Sequence, residues 1–240
     1  MKFTNFIYWL FKLKGLHLYS DRSLPYGIDH RLDIVRLGGE INRIFDVGAN
    51  VGQTAKTYSS YWPIAIIFCF EPVSSTFYCL VQNTQMMLNV KCHQMAFGAN
   101  SGSATIWLKE SSRKNSLNSR LNQPSDTSDY ETINIETVDE FCQRKDINNI
   151  DLLKLDVESY ELDVLKGCTQ MLESGKIAWI YAEANLDADD HEQTSFPFMK
   201  DFLQPLGYQW IGIYDKKFSR ENKMIKRLKY FNALFKLEKD

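Results

Sequence analysis

The chain has 240 residues, 44% of them hydrophobic and 24% charged, enough for one soluble globular domain with additions and a sizeable core. Its net charge of −2 is unevenly spread: residues 216–240 hold nine Lys/Arg against three Asp/Glu, residues 1–19 hold three Lys and no acid, and the middle therefore carries −11. An acidic body with basic ends argues against a nucleic-acid enzyme wrapped around its substrate. Five scattered cysteines without a C-x-x-C pair fit the reduced thiols of a cytoplasmic protein, and four histidines without an H-x-x-x-H pair argue against zinc.

In chain order, residues 1–14 place Phe3, Phe6, Ile7 and Leu10 at helical spacing, which predicts an amphipathic helix. Its uncharged run is too short to span a membrane, and no small-residue cleavage site follows it. Residues 1–26 are thus expected to form a terminal helix and loop that packs on the body, on a second copy, or peripherally on a membrane surface. A helix is predicted over Asp29–Leu37 and ends at Gly38-Gly39. A strand follows at Arg43–Val47, then a helix at Gln53–Trp62, a strand at Ala65–Phe70, a helix at Ser74–Leu88, and strands at Val90–Phe97 and Ser103–Leu108. Residues 109–130, rich in Ser, Asn and Asp, read as a long loop of the kind that serves as a lid, with Asn115 and Ser116 as its ligand-facing candidates.

A strand at Glu131–Thr137 and a short helix at Val138–Lys145 lead to a strand from Ile150 into Val157, and a helix runs from Glu161 to near Gly167. Ile177–Ala182 is a fifth strand, Thr194–Leu203 a helix, and Tyr208–Tyr214 a closing strand after the Pro205–Gly207 turn. The body, 27–215, therefore reads as an open α/β sheet. Residues 216–240 place Met224, Ile225, Leu228, Phe231 and Phe235 on one face of a helix, and read as a basic amphipathic helix suited to the body, a second copy or an anionic membrane.

The stretch Phe45-Asp46-Val47-Gly48-Ala49-Asn50-Val51-Gly52 ends an apolar strand in a small-residue turn before a helix, the device by which open sheets bind nucleotide-like ligands. It lacks the third glycine of a dinucleotide fingerprint and the Gly-Lys-Ser/Thr of a P-loop. An acid at the strand end suits a ligand with a positive centre and a nucleoside. Glu71, 20–25 residues beyond the turn, stands where an acid reaches ribose hydroxyls. Asp156 and Glu158 close the strand that begins at Ile150, and share one face if the chain stays extended. Glu183 and Asn185 end the fifth strand.

These residues together resemble the FkbM family of S-adenosylmethionine-dependent O-methyltransferases. The resemblance rests on Phe45–Gly52, on Phe70-Glu71-Pro72, on Val138-Asp139-Glu140-Phe141, on Leu153–Glu158 followed by Glu161–Gly167, and on Glu183, and it spans about residues 27–214. The family usually has glycine after the Asp-x-Glu, where this chain has Ser159. The resemblance implies a Rossmann-like class I methyltransferase fold with a seven-stranded, mostly parallel sheet and helices on both faces. It implies S-adenosylmethionine as cofactor, held by Asp46, Gly48, Ala49, Asn50, Gly52, Glu71, Pro72, Ala96 and Asp156. Asp156, Glu158 and Glu183 are the expected catalytic carboxylates, with Lys154 pairing a strand-end acid and Asn185 orienting the acceptor. The expected acceptor is a hydroxyl, most often of a sugar in a glycan, glycolipid or natural product, with no nucleic-acid partner. A Mg²⁺-assisted route through Asp156, Glu158, Glu183 and Asn185 is the less favoured alternative. A non-catalytic module of the same fold and a nicotinamide dehydrogenase are the rival readings.

Overall fold

The computed structural model describes residues 11, 13, 19–21, 23–108, 130–186, 194–221 and 224–238. Its elements are α1 (His30–Arg36), β1 (Arg43–Val47), α2 (Gln53–Tyr61), β2 (Ile66–Phe70), α3 (Ser74–Thr84), β3 (Val90–His93), β4 (Ala96–Phe97), β5 (Gly102–Trp107), β6 (Tyr130–Glu136), α4 (Val138–Lys145), β7 (Ile150–Leu155), α5 (Glu161–Lys166), α6 (Thr169–Glu173), β8 (Ile177–Ala184), α7 (Phe196–Leu203), β9 (Tyr208–Glu221) and β10 (Met224–Leu237). Seven strands form one sheet in the order β3-β2-β1-β7-β8-β10-β9, and β4-β6-β5 form a small second sheet. Every neighbouring pair from β3 to β8 is parallel; β10 alone runs against its neighbours. This is the seven-stranded, mostly parallel sheet that the resemblance implies.

The central strands are apolar on both sides because both sides are covered. Ile44, Ile67, Leu152, Trp179 and Leu234 pack with Ile34 of α1, Ala55 and Tyr58 of α2 and Leu80 of α3. Phe45, Val47, Leu153, Leu155, Ile180 and Ala182 pack with Phe141 of α4, Val164 and Leu165 of α5 and Met199 and Leu203 of α7. Helices α1–α3 thus cover one face and α4–α7 the other. Chain direction across the sheet reverses between β1 and β7, and ligands of open α/β sheets sit at the carboxyl ends of the strands beside such a switch point.

Two of the motif acids turn out to hold the scaffold. Asp139 accepts hydrogen bonds from the Gln170 and Met171 amides at 2.8 and 3.0 Å and so satisfies the free N–H groups at the start of α6. Glu161 accepts from the Val157 amide at 2.9 Å and from the Thr194 hydroxyl, tying the turn after β7 to the chain entering α7. Cys69, Cys142 and Cys168 are buried free thiols, while Cys79 is exposed and Cys92 half-buried.

The expected C-terminal helix is corrected: Met224–Leu237 is a strand, and it wedges between β8 and β9. The strand at Tyr208–Tyr214 therefore does not adjoin β8, and it continues to Glu221. The physical reason is that β10 is interior. Phe231, Ala233 and Phe235 are buried on one face and Leu234 on the other, so both faces are apolar and the period-2 signal is lost. Membrane contact through a C-terminal helix loses its basis with that helix. The N-terminal helix lies largely outside the described residues. Among the described residues, no helix is long and apolar enough to cross a membrane.

Candidate active site

The turn after β1 is strapped to its neighbour: the Gly48 and Ala49 amides both donate to the Phe70 carbonyl at 3.0 Å. Gly48 has φ +75°, and a Cβ there would stand 1.9 Å from the Asp156 carbonyl oxygen. The backbone of the turn therefore touches the end of β7, and only glycine permits it. Asn50 also adopts a left-handed conformation, with φ 49°. Gly52 turns its hydrogen toward Leu80 and Thr84 of α3, so its place in the motif is packing as well as turn geometry. Ala49 is buried.

Glu71 is buried just past β2. Its Oε2 accepts from the Asn50 amide and its Oε1 from the Val73 amide, each at 3.1 Å. Burial pushes the carboxyl up to about 7, against the pull of those two hydrogen bonds. Each oxygen keeps a lone-pair direction for a ligand hydroxyl. Pro72 is half-buried beside it, and Ala96 is buried in β4 within the same apolar cluster as Val73.

Asp46, Lys154 and Asp156 form a charged chain across the switch point. Asp46 is fully buried, and the Lys154 ammonium lies 3.0 Å from its Oδ1. The same ammonium lies 3.3 Å from Asp156 Oδ2, whose side chain is 46% exposed. The expected pairing of Lys154 with a strand-end acid is therefore double. Burial opposes the Lys154 charge, yet Asp156 and Asp46 outweigh it and hold the ammonium above the usual lysine range. Burial raises the Asp46 carboxyl by more than Lys154 offsets. Asp46 Oδ2 has no hydrogen-bond partner among the described residues.

The extended course of β7 stops at Leu155. Glu158 and Ser159 adopt left-handed conformations, with φ 52° and 75°, so Asp156 and Glu158 do not share a face through strand alternation. Glu183 approaches from β8: Leu155 pairs with Ala182, which puts Asp156 and Glu183 next in line at the carboxyl edge. Glu183 is 9% exposed. Burial pushes its carboxyl up to about 9, and the charges of Asp156, Glu161 and Glu158 push the same way. Asp156 and Glu158 thus both act on Glu183 at one edge of the sheet. Asn185 is buried one step beyond, its backbone bonded to Thr194 and Phe196.

Sequence reasoning missed the contribution of β10. Asn232 pairs with Glu183 in register and lies on the same face. Tyr230 is the next residue on that face, and its phenol is raised by burial and by the charges of Glu183 and Glu158. A strand reading of Lys229–Phe235 would have found both. Asn115 and Ser116 lie outside the described residues. Among the described residues, no group of three or more His, Cys, Asp or Glu side chains is arranged to hold a metal ion.

The buried orphan oxygen of Asp46 and the two acceptor oxygens of Glu71, both at the carboxyl edge, suit a ligand that joins a positive centre to a ribose. Comparison with known proteins agrees with that chemistry. The chain is 28% identical over 162 residues to hexuronic acid methyltransferase AglP of Haloferax volcanii, covering 66% of this chain and 64% of that protein. It is 26% identical over 152 residues to 2-O-methyltransferase NoeI of Sinorhizobium fredii, covering 58% and 62%. Both matches span less than two thirds of the relative's length. Residues 46–210, which hold every site residue described above except Tyr230 and Asn232, match the methyltransferase FkbM domain, and the chain belongs to that family.

Proposed function

We propose that the chain is an S-adenosylmethionine-dependent O-methyltransferase that acts on a sugar hydroxyl. The observation that carries this reading is the carboxyl edge of the sheet, where the Gly48 turn touches the Asp156 backbone, Glu71 accepts from the Asn50 amide of that turn, and Glu183 stands next to Asp156. The names of the two relatives, one a hexuronic acid methyltransferase and one a 2-O-methyltransferase, support a sugar and an oxygen acceptor.

S-adenosylmethionine, when bound, supplies an electrophilic methyl group and a positive centre. Glu71 holds the ribose hydroxyls, with the Asn50 and Val73 amides fixing its two oxygens. Asp46, Gly48, Ala49, Asn50, Gly52, Pro72 and Ala96 shape the rest of the cofactor cradle. Lys154 holds Asp156 beside the glycine turn. Glu183 is the proton acceptor for the attacking hydroxyl: it lies next to Asp156 at the carboxyl edge, and its carboxyl, raised to about 9, must shed its proton before it works. A positive centre bound beside it favours its charged form. Glu158 and Asn185 position the acceptor. Alignment of such a reacting pair contributes on the order of 7–11 kcal/mol, and a general base a further ~10²–10⁴-fold.

The test is S-adenosylhomocysteine release from the purified chain offered pooled nucleotide sugars, free saccharides and glycolipids, with and without Mg²⁺. Release with a saccharide pool is the expected outcome, undiminished by EDTA. Cofactor binding without release from any saccharide pool would sink the sugar reading, and binding of NAD in place of S-adenosylmethionine would sink the reaction class.

A further inference from the structure

The paired strands β9 and β10 outrun the sheet. β10 contacts β8 only over Phe231–Lys236, and Phe231 sits opposite Ala184, the last residue of β8. Among the described residues, 224–230 therefore have β9 as their only strand neighbour, and they project past the carboxyl end of the sheet, by roughly 20 Å at 3.3 Å per residue. That end is the one that holds Asp156 and Glu183. The register shifts near Asp215, which has φ 46°, and again between Leu228 and Tyr230, so the ribbon is bent where it leaves the sheet.

The two faces of this arm differ. Leu228 pairs with Phe218 and packs toward the Phe231 and Phe235 side. Tyr230 pairs with Lys217, and Arg227 with Ser219, on the opposite face. That is the face on which Asn232 stands beside Glu183. A row therefore climbs from the site up the arm: Glu183, Asn232, Tyr230 with Lys217, then Arg227 with Ser219. Residues 216–230 hold seven Lys/Arg and one acid, against −11 for residues 20–215. Lys217 and Arg227 are exposed.

From this placement we infer that the arm is the acceptor-binding rim of the site, and that it selects a saccharide carrying an acidic group. The inference rests on the proposed transfer to a sugar. An acceptor brought to Asp156, Glu158 and Glu183 meets three carboxylates, which repel an anion unless cations stand behind it. Lys217 and Arg227 supply those cations one and two steps up the same face, and Tyr230 offers a ring between them and Glu183. Charges at a rim act chiefly on encounter and orientation and weaken with salt.

The experiment measures binding of a trigalacturonic acid and of maltotriose, its neutral counterpart, by calorimetry with S-adenosylhomocysteine present. The acidic trisaccharide is expected to bind about tenfold more tightly at low salt, as two rim ion pairs allow, and to lose that advantage as ionic strength rises. The Lys217→Gln/Arg227→Gln double variant is expected to bring the two saccharides to parity while S-adenosylhomocysteine affinity, the check on folding, holds. Equal affinities in the wild type, no binding of either saccharide, or a double variant that keeps the preference overturns the inference. So does a double variant that loses sedimentation with phosphatidylglycerol vesicles while its saccharide binding is unchanged, since the arm would then face lipid. Methyl transfer is scored separately. Transfer to a sugar with equal affinities leaves the proposed function standing and sinks the arm. An arm-dependent preference without transfer to any saccharide does the reverse.

Discussion

At the scale of single residues, the site pushes two carboxyls apart for two tasks. Glu71 is raised to about 7 by burial, and its ribose contacts need the charged form. S-adenosylhomocysteine should therefore bind more tightly as the pH climbs through about 7. Glu71→Gln should weaken binding about tenfold or more, the worth of a charge-assisted hydrogen bond, and should flatten the pH dependence. Calorimetric titration from pH 6 to 8.5 decides it, and a flat wild-type profile would remove Glu71 from the ribose. Glu183 is raised to about 9 by burial and its carboxylate neighbours. As the base it must shed its proton before it works, so kcat/KM at low substrate should rise with pH toward that value or a lower one set by bound cofactor. Glu183→Gln should cost ~10²–10⁴-fold in rate and abolish the rise, with cofactor affinity unchanged. A variant that keeps the wild-type profile would pass the role to Asp156 or Glu158.

At the scale of elements, the turn from β7 into α5 is strained in a way the sequence announces. Ser159 stands where the family usually has glycine; its φ is 75°, and its buried Oγ has no hydrogen-bond partner among the described residues. A left-handed serine costs about 1–2 kcal/mol, so Ser159→Gly should stabilise the chain by about 1 kcal/mol, read as a rise in melting temperature of roughly 2–4 °C. An unchanged or lower melting temperature would mean the turn relaxes around serine. Lys154 is the opposite case. Lys154→Met would leave two carboxylates facing each other at the β1–β7 junction, and should cost about 3–5 kcal/mol by urea unfolding. Adding Asp46→Asn should recover part of that loss; no recovery would mean the lysine acts by packing alone. The strands β1, β2, β7 and β8 and the acids at their ends were legible because each strand is short, apolar and stopped by a marked turn. Lys154 was legible as a partner of a strand-end acid, but its second carboxylate depends on the β1–β7 register, which no local pattern encodes. β10 was illegible because Met224, Ile225, Leu228, Phe231 and Phe235 fall at helical spacing by coincidence, while tertiary burial put apolar residues on both faces of a strand.

At the scale of the whole molecule, a polar cluster joins the layer of α1 and α2 to β8 and β9, the two strands that flank β10. His30 stacks on Tyr181 with centroids 3.9 Å apart, and its Nε2 lies 2.8 Å from the Tyr58 hydroxyl. Tyr181 donates to Asp215 Oδ2 at 2.6 Å, and Tyr214 donates to Asp33 Oδ2 at 2.9 Å. Helices α1 and α2 with strands β8 and β9 are therefore coupled through groups that must stay in one protonation state. Burial pushes His30 down to about 4, against the upward pull of Asp215 and Asp29. The unfolded chain takes up that proton near 6.5 and the folded chain only near 4. Between those values the unfolded state binds more protons, so the contribution of a neutral His30 is complete above 6.5 and is lost progressively as the pH falls toward 4. The raised carboxyls of Glu71 and Glu183 work in the opposite sense: their contribution is complete below the ordinary carboxyl range and fades as the pH climbs through 7 and 9. Raw stability curves mix the two, so the difference between wild type and His30→Gln isolates the histidine. That difference should narrow as the pH is lowered from 6.5 to 4 and stay constant above 7, measured by urea midpoints at each pH. A constant difference across the acid limb would mean that His30 takes up its proton as readily in the folded chain as in the unfolded one, and that the coupling of the two helices to the late strands rests on the tyrosines alone.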